Sequence, residues 1–209
     1  MQLNASIFYL ISVGSRQGTG NISQKCRERI GCPGMEGHME RLIKKAKNGD
    51  AEAFILLLEE NKESMKRIAC AYLKREEDAA DAIQDTILDA YEHIHKLKKP
   101  EHFKTWLTRI LLNNCTKIYR QNKTQSAYDL SLQEYESIVA QDAGSGIEAE
   151  SDLEFQNLLL HLPEESRLIF QLYFGEQYTI SQIADLLKLK ENTVKSRLHR
   201  GKEQLRKWV

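Results

Sequence analysis

Near its end the chain reads "LKENTVKSRLHRGKEQLRK", residues 189–207. Lys195, Ser196, His199 and Arg200 recur there at the spacing of one helical face, with Asn192 and Thr193 just ahead of them. Ammonium, guanidinium, hydroxyl, imidazole and amide groups in one row donate hydrogen bonds and positive charge. That chemistry recognises phosphates and base edges. A basic helix of this kind has three possible roles: a solvated surface face, a membrane-surface anchor, or a helix laid in a DNA groove. An interfacial anchor needs a wide Trp/Phe/Leu face, and only Trp208 offers one here.

The preceding residues favour the groove. "YTISQIADLLKLKENTVKSRLHRG" opens with Thr179 and Gln182, a T-x-x-Q capping box. Ile183, Ala184 and Leu187 give the first helix an inner face, and Ala184 is small enough for a second helix to approach closely. Leu189 can plug the turn, and Val194, Leu198 and Leu205 face the second helix inward. This pattern is a helix-turn-helix whose second helix presents Asn192, Lys195, Ser196, His199 and Arg200 outward.

The rest of the chain must position that helix. Its 30 Lys+Arg and 30 Asp+Glu cancel over 209 residues, yet the charge is uneven. Residues 39–123 carry 17 bases and 14 acids, 124–150 carry no base and six acids, and 188–209 carry eight bases and two acids. A basic end joined through an acidic connector suits a protein that meets a polyanion. Helical periodicity begins at "MERLIKKAK", with Leu42, Ile43 and Ala46 on one face, and stops at Asn48-Gly49-Asp50, where a new N-cap follows. Ala53, Phe54, Leu57, Leu58, Met65, Ile68, Ala69 and Tyr72 continue the pattern. A third helix carries Ile83, Ile87, Tyr91 and Ile94 as an inward stripe, with Asp78, Asp81, Gln84, Asp85 and Asp89 mainly outside. Pro100 breaks it, and a fourth turns Phe103, Trp106, Leu107, Ile110, Asn114 and Ile118 inward. Pro163 is expected as the first residue of a later helix.

The predicted fold is therefore all-α: two small helical domains, 35–123 and 151–209, joined by an acidic flexible linker over 124–150. Residues 1–34 are rich in glycine and lack periodicity, which predicts a disordered tail or a misassigned start. The opening apolar run Ile7–Val13 is short for a signal peptide and lacks a basic flank, so the chain is expected in the cytoplasm. No Gly-rich phosphate loop, nucleophile elbow or metal-ligand cluster occurs, so neither catalysis nor a metal or other cofactor is expected. Cys26, Cys32, Cys70 and Cys115 form no C-x-x-C and are expected as free thiols.

The pattern L-P-E-E-x-R, then I-A-x-x-L, then T-V-K-S-R-L-x-R resembles region 4 of bacterial RNA polymerase sigma factors of the extracytoplasmic-function group. "DAADAIQDTILDAYEHIHKLKKPEHFKTWLTRILLNNCTKIYR" resembles their region 2. The resemblance implies that region 4 reads the promoter −35 element through Asn192, Thr193, Lys195, Ser196, His199 and Arg200 and touches the polymerase β flap. It implies that Asp81, Gln84 and Asp85 dock on the β′ coiled coil. It also implies that the basic loop and following helix, with Lys96, Lys98, Lys99, Lys104, Asn113, Lys117 and Arg120, contact and open the −10 element. An anti-sigma factor is the implied regulator. Lys188 stands where the family usually has a turn glycine, and Lys190 where it usually has a serine cap. Leu112 and Lys117 stand where Arg and Asp are more usual. Trp106 suits either a core position or a base-stacking platform. A helix-turn-helix regulator acting without polymerase is the alternative, and the acidic strip and basic loop weigh against it.

Overall fold

The structure is a computed structural model that describes residues 35–126 and 155–207. The fold is all-α. In chain order the elements are α1 (Met35–Lys47), α2 (Ala51–Tyr72), α3 (Glu76–His93), 3₁₀ turns at Ile94–Lys96 and Pro100–His102, and α4 (Phe103–Ser126). Residues 155–160 are helical. Then come α5 (Glu164–Phe170), a π-helical turn (Gln171–Gly175), α6 (Ile180–Leu187) and α7 (Glu191–Leu205). No helix among the described residues is long and apolar enough to cross a membrane.

Local chemistry sets the helix ends. Gly49, at φ +89°, makes the turn that ends α1, and the Asp50 carboxylate accepts a 3.1 Å bond from the Ala53 amide to cap α2. Lys44, Lys45 and Lys47 in the last turn of α1, and Glu76, Glu77 and Asp78 in the first turn of α3, complement the helix dipoles. Pro163 is the N-cap of α5 and not its first residue, with φ −56° and extended ψ 145°.

The described residues form two compact units, one within 1–63 and 84–107, the other within 64–83 and 108–209. In the first, Leu42, Ile43, Phe54, Leu57, Leu58, Ile94, Leu97, Phe103 and Leu107 are buried. The two 3₁₀ turns lie against α1, and Lys47 Nζ donates to the Leu97 carbonyl at 2.6 Å. In the second, the buried residues include Met65, Ile68, Ala69, Leu111, Leu112 and Cys115, together with Leu162, Leu168, Ile169, Phe170, Ile183, Val194 and Leu198. The Tyr72 and Thr116 hydroxyls hydrogen-bond at 3.0 Å, and Asn122 donates to Asp78 at 2.8 Å.

Two expected stripes are displaced. The buried line of α3 is Ala79, Ala82, Thr86 and Ala90, while Ile83 and Ile87 are half-buried and Tyr91 is 39% exposed. Small residues permit close helix packing, so the bulky ones fall to the margins, where Tyr91 meets Phe54 edge-on at 5.2 Å. In α4, Leu111 and Cys115 are fully buried, whereas Trp106, Ile110 and Ile118 are half-buried. Helix α4 continues to Ser126, into the start of the acidic segment 124–150; the rest of that segment, and residues 1–34, lie outside the described residues.

Candidate nucleic-acid interface

The helix-turn-helix is built from its caps outward. Thr179 is extended, its hydroxyl accepts from the Gln182 amide at 3.3 Å, and the Gln182 side chain accepts from the Thr179 amide at 2.9 Å, completing the capping box. Ile183, Ala184 and Leu186 are buried; Leu187, expected on that face, is half-buried, and Leu186 takes the interior position instead. The helix ends on Lys188, at φ 54° and ψ 41°. A left-handed lysine costs about 1–2 kcal/mol relative to a glycine that carries no Cβ. The Leu189 amide closes the turn on the Ala184 carbonyl at 2.9 Å. Lys190 is the N-cap of α7 and supplies no side-chain bond to it.

Helix α7 packs on α5 and α6 through buried Val194 and Leu198. It also packs through Gly201, where an added Cβ would lie 2.4 Å from the Phe170 ring. Leu205 is half-buried. The opposite face presents Asn192, Lys195, Ser196, His199 and Arg200 to solvent, with Thr193 half-buried beside them. All six residues expected on the −35 face are thus on one helix, between Asn192 and Arg200. Lys195 faces Glu191 at 3.9 Å and His199 faces Glu203 at 3.7 Å, both exposed one-turn pairs. Such exposed pairs contribute little to stability. Arg197 does not join the outward row. Its guanidinium bonds the Glu165 carboxylate at 2.7 Å and braces α7 against the start of α5. In the sequence Arg197 reads as one more base in a basic run. A depression of about 700 Å³ between these helices is lined by Arg197, Arg200, Arg206, Glu165 and Glu203. Its mixed charge does not suit an anion pocket.

The other candidates fall on both units. Lys96, Lys98, Lys99 and Lys104 are exposed in the first, and Lys99 is 3.6 Å from Glu101. Asn113, Lys117 and Arg120 are exposed along α4 in the second, at the spacing of one face. On α3, Asp81 and Gln84 are exposed and Asp85 is half-buried. Trp106 is half-buried, its ring 5.9 Å from Phe103 and tilted by 38°, so it is neither sealed in the core nor a free platform. Burial pushes the Cys115 thiol up to about 12, and burial also raises Cys70, although Cys70 keeps an exposed surface. Neither thiol is activated for chemistry. No group of His, Cys, Asp and Glu among the described residues could hold a metal ion.

Comparison with known proteins covers both parts. Residues 57–125 match the family "Sigma-70 region 2", and residues 152–205 match "Sigma-70, region 4". The chain is 29% identical over 184 residues to "ECF RNA polymerase sigma factor SigW" of Bacillus subtilis (strain 168), covering 83% of this chain and 97% of that one. It is 29% identical over 180 residues to "ECF RNA polymerase sigma factor SigM" of Mycobacterium tuberculosis, covering 83% and 89%. Among solved structures, CnrH in complex with the cytosolic domain of CnrY shares the fold at TM-score 0.55 and 22% identity, over 82% of this chain and 96% of that one. The sigma factor RpoE in complex with the anti-sigma factor NepR, from Bartonella quintana, shares it at TM-score 0.58 and 19% identity, over 75% and 96%.

Proposed function

This chain belongs to the extracytoplasmic-function group of RNA polymerase sigma factors, and from that premise we propose how its residues divide the work. As a sigma factor it binds core polymerase and directs promoter-specific initiation. The observation that carries the assignment of the −35 face is the exposed row Asn192, Lys195, Ser196, His199 and Arg200 on a helix whose opposite face is locked by Val194, Leu198 and Gly201. Lys195 and Arg200 take phosphates and fix the register. Asn192, Ser196 and His199, on the first turns, are the donors and acceptors for base edges. Thr193, half-buried beside them, completes the proposed −35 contact set.

Asp81, Gln84 and Asp85 form the proposed contact with the β′ coiled coil, where opposite charge speeds encounter and sets register. Region 4 is the proposed contact for the β flap. Lys96, Lys98, Lys99 and Lys104 are the proposed track for the single-stranded −10 backbone, and Asn113, Lys117 and Arg120 the contacts to adjoining duplex. Melting is conformational work powered by binding, so no catalytic group is required of this chain. An anti-sigma factor holds the free protein inactive in this reading, in the cytoplasm, where its polymerase is. The two complexes among its structural neighbours are the support for such a partner.

The test separates the two faces. Asp81→Lys is expected to weaken binding to core polymerase at least tenfold and to leave affinity of the free chain for −35 duplex unchanged. Undiminished core affinity refutes the docking face, and a parallel loss of duplex affinity refutes the division of labour.

A further inference from the structure

The last turn of α1 carries Lys44, Lys45 and Lys47, and it lies ahead of the region 2 match, which begins at residue 57. Both 3₁₀ turns of the basic loop pack against α1, in the same compact unit. Lys47 is half-buried, and its Nζ donates to the Leu97 carbonyl at 2.6 Å. Leu97 closes the first 3₁₀ turn and stands between the exposed Lys96 and Lys98. The contact therefore fixes the Lys47 ammonium in the middle of the loop's lysine row, 50 residues away in sequence. An ammonium has three donors, and the carbonyl takes one. Lys44 is exposed and precedes Lys47 by three residues, so the two share the flank of α1 that meets the loop. Among the described residues no ion pair engages Lys44, Lys47, Lys96 or Lys98, whereas Lys99 has Glu101 at 3.6 Å. Exposed His95 and His102 bracket the row.

We propose that the last turn of α1 is a further part of the single-strand surface, where Lys47 and Lys44 take phosphates of the opened strand beside those taken by Lys96 and Lys98. This rests on the reading of the basic loop given above. Lysines alone suit any polyanion. The exposed imidazoles among them add π faces on which unpaired bases stack. Bases inside a duplex are already stacked on their neighbours and do not reach such faces. Lys47 also offers what the loop lysines lack. A lysine loses rotamer freedom when a ligand orders it, and Lys47 is ordered beforehand by the Leu97 carbonyl. The lysines of this turn offset the negative end of the α1 dipole, which would otherwise repel a phosphate. Lys45 is a control within the same turn. It lies about 160° around the helix from Lys47, on the flank away from the loop.

Fluorescence anisotropy of the full chain tests the surface, with a short labelled single strand of mixed sequence as one probe and the duplex of that sequence as the other. The readout is the slope of log K against log salt, to which each single-strand phosphate contact contributes about 0.7. Lys44→Ala, Lys47→Met and Lys98→Ala are each expected to reduce the single-strand slope by about 0.7, and Lys45→Ala to leave it unchanged. Lys47→Arg, which keeps the charge and a donor for the Leu97 carbonyl, should hold the wild-type slope. Lys47→Met also frees the loop, so Lys44→Ala, at an exposed position, separates loss of a phosphate contact from loss of loop placement. A slope lowered by Lys98→Ala but by neither Lys44→Ala nor Lys47→Met overturns the proposal and leaves the loop reading in place. An equal loss with Lys45→Ala marks a net-charge effect and overturns it too. Equal losses on the duplex overturn the single-strand assignment. If no lysine variant changes the slope, the loop reading fails and the proposal falls with it. If the expected losses appear in a chain that does not initiate with core polymerase, the sigma reading fails and the single-strand surface stands.

Discussion

Gly201→Ala sets two ordinary effects against each other. In an exposed helix, alanine is favoured over glycine by about 0.8–1.0 kcal/mol. Gly201, however, is buried, and a Cβ there would stand 2.4 Å from Phe170 Cε2, 2.6 Å from Cζ and 3.3 Å from Leu162 Cδ2. Carbon atoms rest at about 3.5 Å or more, so the ring or the helix must yield by about 1 Å. Phe170 is 2% exposed and already lies 5.4 Å from the Phe174 ring, leaving it little room. With a contact this short the cost lies in the upper part of the about 1–3 kcal/mol range for overpacking, and subtracting the helix-propensity gain leaves an expected net loss of about 1–2 kcal/mol. Urea unfolding followed by far-ultraviolet circular dichroism should show the midpoint fall by about 0.5–1 M. The paired variant Gly201→Ala/Phe170→Leu should recover part of that loss. A midpoint equal to or above wild type for Gly201→Ala would mean that α7 does not approach α5 this closely, and the packing that fixes the outward face would be wrong.

Lys188→Gly should raise stability by about 1 kcal/mol, because the left-handed site then carries no Cβ; a loss in the urea midpoint would contradict the turn. Lys190→Ser should add about 1 kcal/mol by supplying the missing cap of α7, measured the same way. Lys195→Ala should weaken −35 duplex binding and reduce the slope of log K against log salt by about 0.9, whereas an unchanged slope would remove it from the phosphate contacts. Cys115 should resist maleimide at pH 8 until the chain unfolds, as peptide mapping can show, while Cys70 reacts earlier through its exposed surface. The Cys115 pKa is higher folded than its ordinary 9.0. Its contribution is therefore complete below pH 9 and declines as pH rises toward 12, and a stability that rises over that window would refute the burial.

How much of this was legible in the chain depends on the range of each interaction. The helix-turn-helix was, because Thr179/Gln182, Val194 and Leu198 act within one or two turns of themselves. The end of α1 at Gly49 and the Asp50 cap were legible for the same reason. The inward line of α3 was not. Large aliphatic residues weigh most in a periodicity reading, yet Ala79, Ala82, Thr86 and Ala90 occupy the interior. Lys188 departs from the glycine usual at this turn, and its backbone takes the left-handed conformation that glycine would serve. Nothing local marks Glu176 as buried, since its partners Ser64 and Arg67 are more than 100 residues away in sequence. Arg197 is likewise indistinguishable from its basic neighbours until Glu165 is placed beside it.

The central claim is that this chain makes core polymerase competent to start transcription at particular promoters. The measurement that meets it most directly is transcript initiation from a candidate promoter by purified core polymerase, with and without the chain. Promoter-specific transcripts that appear only when the chain is added, and that are lost with Lys195→Ala/Arg200→Ala, are the predicted result. Tight binding of the chain to promoter duplex in the absence of polymerase, with no initiation in its presence, would contradict the account.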